Sequence, residues 1–133
     1  MAVIIGLMSR RSTVSPAETM SRLLAAITSK GLTIFARIDH SAGAAQAGLQ
    51  LRPTEVVIFG NAKGGTPLMQ ASQTLGIDLP LRALVWQDEA GTTWLSYNDP
   101  VWLATRHDAN QAQSPATLAL SHGLEALINL ALG

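Results

Sequence analysis

The sequence has no cysteine and little charge, and each absence excludes a class of protein. Without cysteine, the 133-residue chain cannot form disulfide bonds, use a thiolate in catalysis, or bind zinc or an iron–sulfur cluster through sulfur. Charged residues make up 14% of the chain, and nine basic side chains balance nine acidic ones. Because nucleic-acid binding requires clustered positive charge, the sequence predicts no nucleic-acid partner.

Long hydrophobic runs are absent as well. The apolar segment from Ala2 to Met8 is too short to cross a bilayer, and no small-residue cleavage site follows it. We therefore expect a cytoplasmic protein without a membrane partner. Hydrophobic residues nevertheless make up 47% of the chain, which predicts a single folded domain over residues 1–133. With so little ionic surface to solvate a monomer, a homodimer is expected.

Helix starts are the clearest local signal in the sequence. A capping residue followed by proline is typical of a helix N-terminus, because proline loses an N–H that has no partner there and the cap binds the remaining ones. The pattern occurs at Ser15-Pro16, Thr66-Pro67, Asp99-Pro100 and Ser114-Pro115. Each pair predicts a helix.

Between these helices lie segments with the pattern of β-strands. Residues 32–38 repeat with a period of two, as in a strand with both faces partly covered. Residues 56–59 are continuously apolar, and residues 81–87 and 92–97 form a predicted hairpin. Small residues from Ser41 to Gly48 predict a further short helix. With one more strand at the start of the chain, the predicted order is β-α-β-α-β-α-β-β-α-α. This order favours an α+β (two-layer α/β) fold, in which helices pack on a mixed sheet.

Several short motifs follow one another in a recognisable order. They are Gly31-Leu32, Ile38-Asp39-His40-Ser41, Leu51-Arg52-Pro53-Thr54, Phe59-Gly60-Asn61-Ala62-Lys63, Asp78-Leu79-Pro80-Leu81 and Tyr97-Asn98-Asp99. In these motifs the sequence resembles the domain of unknown function 302 family, over about residues 14–106, with an extra C-terminal helix at about 115–132. The resemblance implies a small α/β domain, commonly dimeric, in a family without an established activity. That family usually has proline where Ala62 stands, so the segment before Lys63 is freer here.

The glycine-rich segment from Gly60 to Thr66 is the first candidate site. It joins a buried strand to a predicted helix, a setting in which backbone N–H groups and the helix dipole attract an anion. Asn61, Lys63, Gly64 and Thr66 are its candidate binding residues. It is not a P-loop, because the lysine precedes the last glycines instead of following them. The alternative is that the glycines only make a turn.

Asp39 and His40 form a second candidate, at the end of the strand over residues 32–38. If this strand and the next are parallel neighbours, both residues lie near Gly60, where open α/β sheets collect ligands. Tyr97 could then line the same pocket. The alternative is that Asp39 only caps the following helix.

Three hypotheses about function remain open from the sequence. The favoured one is a pocket that binds a small polar or anionic ligand. The second is an enzyme in which His40 is the acid or base and Lys63 stabilises an anion. The third is a structural or protein-interaction module without a ligand. No cofactor is expected, and no metal site either, because His107 and His122 lack a second ligand at helical spacing.

Overall fold

The computed structural model describes residues 3–133, and its elements follow the predicted order. They are β1 (Leu7–Ser12), α1 (Pro16–Ser29), β2 (Thr33–Asp39), α2 (His40–Gln46), β3 (Thr54–Gly60), α3 (Ala62–Ala71), β4 (Leu81–Gln87), β5 (Thr93–Asn98), α4 (Pro100–His107) and α5 (Pro115–Ala131). Two short 3₁₀-helices, η1 (Gln73–Ile77) and η2 (Ala109–Gln111), interrupt the connections. The α+β class and the order of elements are confirmed.

The five strands form one sheet in the order β1-β5-β4-β3-β2. Every pairing in it is antiparallel, so the prediction of a mixed sheet was wrong, and β2 and β3 are not the parallel neighbours that a site near Gly60 required. The reason lies in the connection between β2 and β3. The backbone N–H of Thr54 donates to the hydroxyl of Ser41, which holds the start of β3 beside the start of α2. The chain therefore turns back at the same end of the sheet and does not cross over to the other end.

The main core lies between the sheet and the two longest helices, α1 and α5. Leu23 and Ile27 of α1 and Leu127 and Ile128 of α5 are at most 1% exposed, and they pack with Phe59 and other inward-facing strand residues. A smaller core cluster forms where α3, η1 and α4 meet, from Leu68, Leu75 and Leu103. The gap between α3 and α5, beside both clusters, is where the candidate site lies.

Three of the four predicted helix starts are confirmed. The side chains of Ser15, Asp99 and Ser114 cap α1, α4 and α5, each followed by proline in the first turn. The start at Thr66-Pro67 was wrong, because α3 already begins at Ala62 and Pro67 lies inside it. The capping signal comes from Asn61, whose side chain bonds the backbone three residues further on, and this earlier cap decides where the helix begins.

Candidate functional site

A pocket of about 540 Å³ opens between α3, α5 and the end of the sheet where β2 begins and β3 ends. Its floor is apolar and buried: Phe59 and Leu127 are each 1% exposed, and Leu81 is 6% exposed. Pockets of this size and character are typical of small-molecule sites.

Small residues keep the two helices from closing over this space. Gly64 and Gly65 stand on the α3 side, and Ala119 and Gly123 on the α5 side. A Cβ atom added at Gly123 would meet nothing within 4 Å, whereas one at Gly65 would lie 3.7 Å from a Leu79 methyl group. The α5 wall therefore leaves free space where a larger side chain would project.

Asn61 organises the α3 side of the pocket. Its Oδ1 accepts a 2.7 Å hydrogen bond from the backbone N–H of Gly64, and its carbonyl accepts one from Gly65 at 3.1 Å. These bonds start α3 directly after β3 and place Lys63 in the first turn. Lys63 is exposed and lines the pocket.

Lys30 reaches the same pocket from α1. The helix ends in a Schellman motif: Gly31, at φ +72°, donates to Thr28, and Leu32 donates to Ile27. Glycine suits this left-handed position because it has no Cβ atom to strain the backbone. After this turn Lys30 is exposed, and both Lys30 and Leu32 line the pocket.

Both lysines of the sequence, Lys30 and Lys63, thus line one pocket. No aspartate, glutamate, histidine or arginine of the described part of the chain lines it with them. Neither lysine takes part in an ion pair among residues 3–133. The pocket therefore carries two positive charges that pair with no carboxylate of residues 3–133.

The structure brings together three of the residues proposed from the sequence and separates the others. Asn61, Lys63 and Gly64 line the pocket. They belong to a helix N-terminus and its cap, so the expectation of a loop over residues 60–66 was wrong. Thr66 lies in the second turn of α3 and is not part of the pocket lining.

Asp39 and His40 lie at the opposite end of β2, which corrects their predicted place near Gly60. Asp39 pairs with Glu55, whereas Thr33 pairs with Gly60. At the rise of an antiparallel strand the two ends of β2 are roughly 20 Å apart. The antiparallel pairing causes this separation, so His40 and Lys63 cannot act on one small ligand.

The alternative interpretation of Asp39 agrees with the geometry. Its carboxylate caps α2 by accepting from the Ala42 N–H at 2.9 Å, and it accepts a 2.6 Å bond from the Ser41 hydroxyl. The bond from Ser41, together with that from the backbone, lowers the pKa of Asp39 below its ordinary value.

Tyr97 is also outside the pocket. It lies on β5 and is 7% exposed within the main core. This burial raises the pKa of its phenol. The sequence placed Tyr97 near the end of a predicted strand, and that position alone could not show that its side chain faces the core.

Sequence reasoning missed Lys30 and the α5 wall. A usable signal was present in α5, where Ala116, Ala119, Gly123 and Ala126 recur at helical spacing and mark a face of small residues. Nothing in the local sequence indicates that this face lies opposite α3, because about fifty residues separate them along the chain.

A second polar cluster joins η1 to the end of α4. Nε2 of His107 lies 2.6 Å from Asp78, and its Nδ1 lies 2.7 Å from the Thr74 hydroxyl. Arg106 donates to both carboxylate oxygens of Asp78, at 2.8 and 2.9 Å. Within residues 3–133, no three histidine, aspartate or glutamate side chains converge as metal ligands.

The fold has a counterpart among solved structures. The crystal structure of an uncharacterized conserved protein DUF302 from Bacillus stearothermophilus matches with a TM-score of 0.84, covering 96% of this chain and 99% of that one. The two sequences are 16% identical, so this likeness concerns the fold alone.

Closer sequence relatives are longer proteins. The chain is 47% identical over 135 aligned residues to the fluoride-specific ion channel FluC 1 of Brucella suis, and equally to FluC 2 of Brucella melitensis. The alignments include all of this chain but 53% and 50% of those proteins, so the chain spans about half the length of the curated relatives it matches. In residues 3–133, no helix has the length and apolar character needed to cross a membrane.

A family model identifies the chain itself. It matches residues 8–127, which extends past the range 14–106 suggested by the short motifs and takes in most of α5. The family resemblance is confirmed: the chain belongs to the family described as Domain of unknown function DUF302.

Proposed function

We propose that this chain binds a small organic molecule in the pocket between α3 and α5. The observation that carries the proposal is the pocket itself, whose volume of about 540 Å³ suits a metabolite-sized ligand. Its apolar floor and few polar groups are typical of sites that bind by burial and orient the ligand by a small number of contacts. A structural module without a ligand would not need such a space.

Binding without catalysis is favoured over the enzyme hypothesis. The ionisable side chains that line the pocket are Lys30 and Lys63, and no carboxylate or imidazole accompanies them as a proton acceptor. His40, the acid or base of the enzyme hypothesis, lies at the other end of β2. Imidazole and carboxylate groups are the commonest proton acceptors in general acid–base catalysis, and the acceptor must lie within hydrogen-bond reach of the substrate.

The test of this proposal is to fill the pocket. Gly123→Leu places a side chain in the open space of the α5 wall, while Gly43→Leu makes the same change on α2, where a Cβ atom also meets nothing within 4 Å. Native mass spectrometry of the purified proteins should show a co-purified small molecule on the wild type and the Gly43 variant. It should be lost from the Gly123 variant. Equal retention by all three proteins would place the ligand elsewhere and contradict the proposal.

We also propose that the protein is a homodimer. The low charged fraction supports this, as do large apolar side chains left exposed, such as Ile5 at 79% and Phe35 at 57%. Light scattering coupled to size exclusion should give twice the 14.0 kDa chain mass. A mass of one chain at micromolar concentration would contradict it.

A second candidate function is favoured by the sequence relatives. We propose that the chain acts as an accessory unit of a fluoride-specific ion channel, because it is 47% identical to one half of proteins with that name. In the longer relatives, the matched and unmatched halves are held together because they belong to one chain. The same two halves on separate chains can instead associate by binding to each other.

This candidate is tested with the unmatched half of the Brucella suis protein reconstituted in liposomes. The chain should co-sediment with these liposomes and change their rate of fluoride efflux, measured with a fluoride electrode. Empty liposomes are the control. If the chain neither co-sediments nor alters efflux, the accessory role is excluded for that channel.

A further inference from the structure

The pocket also indicates what kind of molecule it binds. We infer that the ligand is an amphipathic anion, an organic acid in which an apolar body carries one anionic group. This inference rests on the proposed ligand-binding function and specifies the chemistry of the same site.

The charge of the lining carries the first step. Among residues 3–133, Lys30 and Lys63 are the only ones with an ionisable side chain in the lining, and both lack an ion-pair partner in the same range. Basic and acidic residues balance over the whole chain, yet both of its lysines line the same pocket. Two unpaired cations favour an anion and repel a cation.

The second step is how polarity is distributed with depth. Lys30, Asn61 and Lys63 are exposed, so the polar groups stand at the mouth of the pocket. The floor is made by Phe59 and Leu127, each 1% exposed. A ligand that matches both parts has its charged group at the mouth and its apolar body inside, where burial of apolar surface stabilises it.

A small inorganic anion fits this site less well. The Gly64 N–H is already bonded to Oδ1 of Asn61, so phosphate would have to displace the helix cap to reach it. Apart from Lys30, Asn61 and Lys63, the lining residues have apolar side chains or none, so their side chains offer no hydrogen bond to an anion placed deeper. The lysines alone, both exposed to solvent, would hold such an ion weakly and only at low salt.

The two lysines also provide the experiment. Reductive methylation with ¹³C-formaldehyde keeps their charge and labels Lys30, Lys63 and the N-terminal amine. The probes are decanoate, acetate, decanol and decyltrimethylammonium, each titrated while the labelled methyl signals are recorded by NMR. We expect decanoate to shift both lysine signals at concentrations where the other three probes leave them unchanged.

Variants connect these shifts to the site. Lys30→Ala and Lys63→Ala should each weaken decanoate binding roughly two- to fivefold, the range for solvent-exposed ion pairs. Arg82→Ala is the matched control, because Arg82 is an exposed cation that does not line the pocket. Gly123→Leu should abolish the decanoate shifts, and Gly43→Leu should not.

Each other outcome overturns the inference in a distinguishable way. If decanol or the cationic probe binds as tightly as decanoate and Gly123→Leu prevents it, the pocket binds ligands but does not select anions. If acetate binds as tightly, the apolar body is irrelevant. If no probe binds, an amphipathic anion is excluded, while the retained-ligand experiment still decides whether the pocket binds something else. If dilution alone shifts both lysine signals, a second copy of the chain covers the pocket.

Discussion

Two polar clusters of this protein differ in how their charges are used. The Asp78 carboxylate contacts both the Arg106 guanidinium and the His107 imidazole, and the Thr74 hydroxyl contacts the other nitrogen of His107. At the mouth of the pocket, Lys30 and Lys63 have no carboxylate partner in residues 3–133. The first cluster is internally satisfied and the second is not.

This difference separates structural from functional use of polar residues. The Asp78 cluster joins η1 to the end of α4, beside the smaller core cluster, and its carboxylate, guanidinium and imidazole are already paired within the protein. The lysines form no ion pair within residues 3–133, and they stand above an apolar space. A histidine beside a carboxylate, such as His107 beside Asp78, is a common pattern of catalytic pairs. We infer instead that the unpaired Lys30 and Lys63 mark the ligand site.

The largest effect should follow from breaking the satisfied cluster. Asp78→Ala removes the partner of His107, whose side chain is 9% exposed, and leaves that imidazole nitrogen without its hydrogen bond. We expect a loss of about 1–3 kcal/mol in the free energy of unfolding, measured by urea denaturation. Arg106→Ala, which removes a half-exposed partner, should cost less. If both variants melt as the wild type does, the cluster is not a structural one.

A stabilising change is expected at the pocket wall. Gly123 lies inside α5, and Gly123→Ala should raise the free energy of unfolding by about 0.5–1 kcal/mol, because alanine loses less backbone entropy in a helix. The same variant should bind decanoate more weakly by narrowing the pocket. Gly43→Ala in α2 is the control for the helix effect alone. If Gly123→Ala is more stable but binds decanoate as tightly as the wild type does, the absence of a side chain at Gly123 is not needed for ligand access.

The lysines should matter little for folding. Lys63→Ala should change the free energy of unfolding by less than about 0.5 kcal/mol, as for surface residues without a structural partner. Urea denaturation beside Asp78→Ala makes the comparison direct. A Lys63 variant as destabilised as the Asp78 variant would remove the distinction between the two clusters.

The smallest effect concerns the cap of α2 and depends on pH. Hydrogen bonds from Ser41 and the backbone lower the pKa of Asp39 below its ordinary value of 3.8. The stability that Asp39 contributes is therefore present above the unfolded-state pKa and is lost as pH falls through the lower folded-state pKa. Asp39→Ala should be less stable than the wild type at neutral pH, and the difference should shrink under acid. His40→Ala should show neither behaviour, and an equal loss of stability in both variants would mean that His40 has a structural role of its own.

The predictions from sequence succeeded where the signal lies within a few residues. The caps at Ser15, Asp99 and Ser114 depend on one side chain and the first helical turn. At Thr66-Pro67 the same rule was wrong, because Asn61 offered an earlier cap and both signals lay within one helix.

By itself, the sequence determined the family, the α+β class, the order of elements and most helix starts, since these follow from periodicity, caps and short motifs. Only the tertiary structure decided that β2 and β3 run antiparallel, which moved Asp39 and His40 to the far end of the sheet. It also decided that Lys30 meets Lys63 above an apolar floor supplied partly by α5. Strand direction and the meeting of distant helices depend on contacts between residues far apart in the chain, and no local pattern encodes them.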